Sequence, residues 1–240
     1  MKFTIYIFSF LLLCTFTQCK KLGLESGGQT LVADRSTQPF SKICLFDNID
    51  LQLTQDTIEK IQIETGENIQ SMITTDFSGD SLMLRNKAKG LMTNPDQKII
   101  AHISVKNLSS ISYQGSGNIS CTNTITSPLM EVYSNSGAGN VYLNLNTHIL
   151  NAGIYSENAD FIFEGHADSC YTYCSSRGTI DYRNFITDKL LIDYSSARDA
   201  YVNVSDALYG NIFYVGNIYY KGHPSIISVK ERDKGKVISY

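Results

Sequence analysis

The sequence predicts an all-β fold: a single-stranded parallel β-helix-like solenoid with coils of about 20 residues and an irregular N-terminal β part. Three observations predict it. Glycine-centred punctuations recur at Gly117, Gly139, Gly178, Gly216 and Gly235, with Ala159 and Arg198 standing in the gaps, at spacings of 22, 20, 19, 20, 18 and 19 residues. Such a period marks a solenoid, whose repeats bury their apolar faces only by stacking on one another. After each punctuation, apolar and polar residues alternate with the period of two of a strand. Helical periodicity is absent from this half of the chain.

The elements follow in order. Met1-Lys2 and the apolar run from Phe3 to Phe16 are too short to span a bilayer and read as an export signal over residues 1–18. Cys19 directly after that run predicts lipidation, with Cys19 as the acylated first residue of the mature chain. Gln18 is not the small residue usual before such a cysteine, and Cys14 is a competing acceptor with a very short apolar core. An ordinary cleaved signal is the alternative, although no Ala-x-Ala site follows. Residues 19–38, rich in Gly, Ser, Gln and Thr, read as a flexible tether, and the domain proper spans 39–240.

Its first half offers candidate strands at Lys42–Phe46, Ile49–Leu53, Ile58–Glu64, Met72–Thr75, Ser81–Leu84, Lys98–Val105 and Ile111–Tyr113. Ser78-Gly79-Asp80 reads as a hairpin turn and Lys87 to Gln97 as a loop. This half is expected to cap or continue the solenoid, because terminal repeats must protect an open edge.

The repeats are clearest over residues 113–240. Two steps after each punctuation stand Ile119, Val141, Phe161, Ile180, Ala200, Ile218 and Val237, all apolar. Four steps after stand Cys121, Leu143, Phe163, Tyr182, Val202, Tyr220 and Ser239. One step after stand Asn118, Asn140, Asp160, Thr179, Asp199, Asn217 and Lys236. Glycine at the punctuation fits a corner with positive φ, and Asn or Asp beside it can bond its own backbone in a turn. A second short strand precedes most punctuations, at Met130–Tyr133, Tyr171–Tyr173 and Leu190–Tyr194.

The run Gly-Ser-Gly-Asn-Ile, Gly-Ala-Gly-Asn-Val, Arg-Gly-Thr-Ile-Asp-Tyr and the closing Gly-Asn-Ile-Tyr-Tyr-Lys-Gly-His-Pro (Gly216 to Pro224) resembles the auto-transporter adhesins with a head GIN domain. The resemblance covers roughly residues 40 to 240, including Phe-Ser-Lys-Ile at Phe40. Ala159 and Arg198 depart from it. It implies an exported protein or lipoprotein of Bacteroidetes-type bacteria, at the outer membrane or cell surface, with no catalytic motif.

The chemistry of the sequence agrees with a binder rather than an enzyme. A net charge of −3 without a Lys/Arg cluster argues against nucleic-acid binding. His102, His148, His166 and His223 are scattered, and no Gly-x-Ser-x-Gly elbow frames a serine. Asp160 and Asp199 share one repeat position two coils apart and read as turn residues rather than a hydrolase pair. His166-x3-Cys170-x3-Cys174 lacks a fourth ligand, so no metal and no cofactor are expected. Cys44, Cys121, Cys170 and Cys174 invite a disulfide reading in an exported protein, but Cys170 and Cys174 cannot pair along one extended strand. Any single tyrosine is more simply a strand residue, whereas several outward tyrosines on one face would mark a binding surface. Two functions follow: an envelope-anchored, non-catalytic binding or adhesion module for a glycan or protein ligand, held to the membrane by its lipid, or a structural protein of the envelope whose solenoid edge pairs with another chain.

Overall fold

The computed structural model describes residues 27–88, 97–156 and 158–240. The signal peptide, Cys19 and most of the expected loop at 87–97 lie outside the described residues. Seventeen strands form one continuous sheet that winds into a β-solenoid, with no α-helix among the described residues. The first eight are β1 (Thr30–Arg35), β2 (Lys42–Asp47), β3 (Asp50–Gln55), β4 (Lys60–Gly66), β5 (Ile73–Ser78), β6 (Ser81–Asn86), β7 (Ile100–Val105) and β8 (Ser110–Gly115). The regular coils follow as β9 (Ile119–Cys121), β10 (Ile125–Ser134), β11 (Asn140–Ile154), β12 (Asp160–Cys174), β13 (Ile180–Tyr194), β14 (Ala200–Ile212), β15 (Ile218–Lys221), β16 (Ile226–Glu231) and β17 (Val237–Ser239).

Each regular coil has two strand sides and a loop side. The first side stacks β9, the first halves of β11 to β14, β15 and β17, all parallel. The second side stacks β8, the end of β10, the second halves of β11 to β14, and β16. The two short strands expected per coil are therefore fused. β11, β12 and β13 run 15 residues each and bend where two successive residues face outward, at His148–Ile149 in β11 and Asp168–Ser169 in β12. That pair shifts the alternation by one, so odd-numbered residues point inward before the bend of β11 and even-numbered ones after it.

The register follows the repeat alignment. Ile119 pairs with Val141, Val141 with Phe161, Phe161 with Ile180, and Ala200 with Ile218, and all of them are buried. The core is a column of such side chains. It includes an aromatic stack in which Phe163 lies 5.3 Å from Phe161 and 5.1 Å from Tyr182, with Phe185 edge-on at 6.1 Å. Such pairs add about 0.5–1.5 kcal/mol each beyond the area they bury.

The physical role of the punctuating glycines is a correction. None of Gly117, Gly139, Gly178, Gly216 and Gly235 has a positive φ. What excludes a side chain is the coil beneath: a Cβ on Gly139 would fall on the carbonyl oxygen of Gly117, and one on Gly235 on that of Gly216. The neighbouring Asn and Asp residues are corrected too, because they bond between coils rather than within a turn. Asn118 Oδ1 accepts from the Asn140 amide at 3.0 Å, Asp160 Oδ1 from Thr179 at 2.8 Å, and Asp199 Oδ1 from Asn217 at 2.8 Å. Glycine lets the coils approach, and the side-chain oxygen satisfies a backbone donor that the approach leaves exposed to no strand partner.

The N-terminal half caps the stack as expected, by a route the sequence does not show. The β2–β3 turn lies between the level of β6–β7 and that of β8–β9, so the first coil is inserted between later ones. Antiparallel strands then close the end: β4 on β7, β1 on β4, and β5 on β6 through the Gly79 hairpin, where φ is +60°. The flexible tether expected over residues 19–38 therefore does not extend to 38. Thr30–Arg35 is strand β1, fastened by Arg35 Nη2, which donates to the backbone oxygen and Oε1 of Gln70 at 2.7 Å each.

A tyrosine face and an adjoining cleft

The outward side chains of the second strand side include a group of exposed apolar residues. Leu129 and Ile149 begin it beside the bend, Tyr171, Leu191 and Tyr209 continue along one rung, and Tyr133 and Tyr173 stand on the next. Leu129, Ile149, Tyr171, Leu191 and Tyr209 are 38–46% exposed. Asn151 and Ser169 lie between Ile149 and Tyr171, so the set runs as two neighbouring apolar groups.

A local substitution organises the aromatic part. The register places Gly153 between Tyr133 and Tyr173. Tyr155, two residues later, folds its ring over the space where a Gly153 side chain would stand. Three rings then form a ladder, Tyr133–Tyr155 at 6.0 Å and Tyr155–Tyr173 at 5.2 Å. Burial pushes the phenols of Tyr133 and Tyr171 above the usual tyrosine range, with Glu131 and Asp193 adding to the effect respectively. The Tyr133 hydroxyl donates to Glu131 Oε1 at 3.5 Å.

Tyr155 also borders a cleft of about 620 Å³ on the loop side, lined by Ser156, Asn158, Ser175, Ser176, Arg177, Ser195, Ala197 and Tyr214. The cleft exists because successive loops stack like the strands do. Ser175 Oγ donates to the Tyr155 carbonyl at 3.0 Å, and the Ser195 amide to the Cys174 carbonyl at 2.7 Å. Its lining combines two aromatic rings, hydroxyls, an amide and one guanidinium, which suits a polar ligand with flat apolar patches.

The sequence-level candidates fall into place around this surface. Asp160 pairs with Arg198 Nη1 at 2.9 Å, so the arginine that replaces a punctuating glycine reaches back across the intervening coil. Asp199 is occupied by the Asn217 backbone and side-chain amides at 2.8 and 3.1 Å. Both carboxylates thus serve contacts between coils. His102 bonds Gln52 and Glu64 in the N-terminal half. His166 bonds Asp188 at 3.2 Å, and Ser205 bonds the same carboxylate at 2.8 Å, so the serine faces a carboxylate and not an imidazole. Cys44, Cys121, Cys170 and Cys174 are free thiols, and Cys170 and Cys174 lie on β12 with both side chains buried. His166 thus faces Asp168 and Asp188 rather than the cysteines of its sequence pattern.

The sequence reading missed the position of Tyr155, because a glycine two residues earlier leaves no side-chain signal. It also missed Asp168 and Asp188, although His148, Asp168 and Asp188 stand 20 residues apart and share one corner of the repeat.

Comparison with known proteins adds family and fold. The profile of the family described as "Putative auto-transporter adhesin, head GIN domain" matches residues 39–224. No curated protein matches the chain. Among solved structures, a "putative adhesin" from Bacteroides fragilis superposes with a TM-score of 0.85 at 23% identity, covering 91% of this chain and 100% of that one. A "putative lipid binding protein" from Parabacteroides distasonis gives a TM-score of 0.69 at 16% identity, covering 90% and 99%. A "putative adhesin" from Parabacteroides merdae gives 0.63 at 18% identity, covering 91% and 99%. These likenesses carry the fold.

Proposed function

The chain belongs to the family of auto-transporter adhesins with a head GIN domain, and on that premise we propose that it is a non-catalytic binding module that presents its tyrosine face and loop cleft to a glycan. The observation that carries this reading is the Tyr133–Tyr155–Tyr173 ladder beside the cleft of Ser156, Asn158, Ser175, Ser176 and Arg177. Tyrosine supplies rigid amphipathic area at low entropic cost, and the ring of hydroxyl and amide groups supplies donors and acceptors for sugar hydroxyls. The adhesin names of the Bacteroides and Parabacteroides structures support a binding role and an exported or surface location, and the lipid-binding name of one supports binding of another kind. Acylation of Cys19 would hold the module at the envelope.

The envelope-assembly reading is the second one: the last coil presents β17 and the six-residue β16, whose Ile226 and Ile227 are exposed, as an edge that another chain could extend, and the oligomeric state of the purified protein tests it.

An array of glycans and matrix proteins probed with the purified protein tests the proposal. Selective retention of a glycan class supports it. Retention of matrix proteins alone would move the ligand class to protein, and turnover of any arrayed glycan would overturn the non-catalytic reading.

A further inference from the structure

The bend between the two strand sides gathers the side chains that the tyrosine face does not use. His148, Asp168 and Asp188 stand at the same corner of three successive coils, and His166 precedes Asp168 by two residues on the same outward side. His148 Nδ1 lies 2.7 Å from Asp168 Oδ2, and His166 Nδ1 lies 3.7 Å from Asp168 Oδ1. His166 Nε2 lies 3.2 Å from Asp188 Oδ1, which also accepts from Ser205 Oγ at 2.8 Å. One ligand atom each from His166, Asp168 and Asp188 can be chosen so that all lie within 4.8 Å of one another.

We propose that His166, Asp168 and Asp188 bind a divalent cation of the zinc type, with His148 and Ser205 orienting the two carboxylates. Two successive coils bring one imidazole and two carboxylates to a single corner, and one nitrogen and two oxygens converge there within 4.8 Å. Zinc takes imidazole nitrogen and carboxylate oxygen at about 2.0–2.2 Å. A mixed nitrogen and oxygen set selects this class of ion over calcium, which prefers six or more oxygens. The support shell is already in place, since Asp168 Oδ2 is held by His148 and Asp188 by Ser205. Three protein ligands leave a fourth position for water or a ligand group.

Isothermal titration of the chelator-stripped protein with zinc chloride tests this, with thermal melts confirming the fold of each variant. One zinc per chain is expected to bind and to raise the melting temperature. His166→Ala and Asp188→Asn should each abolish that binding, His148→Ala should weaken it roughly 10–100-fold as lost supporting groups do, and His102→Ala should leave it unchanged. Absence of zinc binding, equal binding by His166→Ala, or calcium binding as tight as zinc would each overturn the assignment.

Discussion

Gly139 rests on Gly117 with no room for a Cβ between coil and coil, and this contact rather than a left-handed backbone explains the recurring glycine. Gly139→Val is therefore expected to cost about 1–3 kcal/mol, as forced overpacking does. At about 2–4 °C per kcal/mol for a domain of this size, a circular-dichroism melt reads it. Asp160→Asn keeps the oxygen that accepts the Thr179 amide and loses only a partly exposed ion pair with Arg198. It should cost less than about 1 kcal/mol, the usual worth of such pairs, and a melt ranking Asp160→Asn below Gly139→Val would contradict the stacking account. The cysteines give a second test at this scale. Burial pushes the Cys170 thiol up to about 12 and raises Cys174 as well. Both should resist iodoacetamide at pH 8 in the native protein and react once it unfolds, as mass spectrometry would show. Because the folded-state value is raised, Cys170 contributes stability that is full below about pH 9 and is lost as pH rises toward 12.

Among the elements, the parallel coils were legible in the sequence and the bends and cap were not. Val141, Phe161 and Ile180 announced their shared register because stacking repeats a chemical demand at each coil. The bend escaped notice because two outward residues in succession, His148 and Ile149, reverse the alternation and look like a strand end. Strand β1 escaped because Thr30–Arg35 is mostly exposed and owes its order to antiparallel pairing with the distant β4. The tyrosine ladder escaped for a similar reason, since Tyr155 fills a neighbour's place. If β1 protects the edge of β4, removal of residues 1–36 should lower the melting temperature and increase association. Size-exclusion chromatography and a melt check this, and a truncated protein as stable and monodisperse as the full chain would show that β1 protects nothing.

As a whole molecule, the described chain is a stack closed by antiparallel strands at one end and reaching the coil of β16 and β17 at the other, with the tyrosine face along its side. Under the proposal Cys19 would hold that surface at a membrane, since two or more acyl chains give a stable anchor where one gives marginal binding. Cys19→Ala should move the protein from detergent-extracted membranes into soluble fractions or block its maturation, and unchanged partitioning would contradict a lipid anchor. The central claim is that ligand binding runs through the tyrosine face. Its most direct test is the affinity for the strongest glycan on the array, measured for the wild type, Tyr155→Ala, Tyr171→Ala and Tyr209→Ala. Tyr142→Ala, an exposed tyrosine of the first strand side, serves as the control. The account expects Tyr155→Ala and Tyr171→Ala each to weaken binding by about tenfold or more, as loss of an aromatic anchor worth about 2 kcal/mol does, with Tyr142→Ala unchanged. Equal affinity of all four variants and the wild type would contradict it.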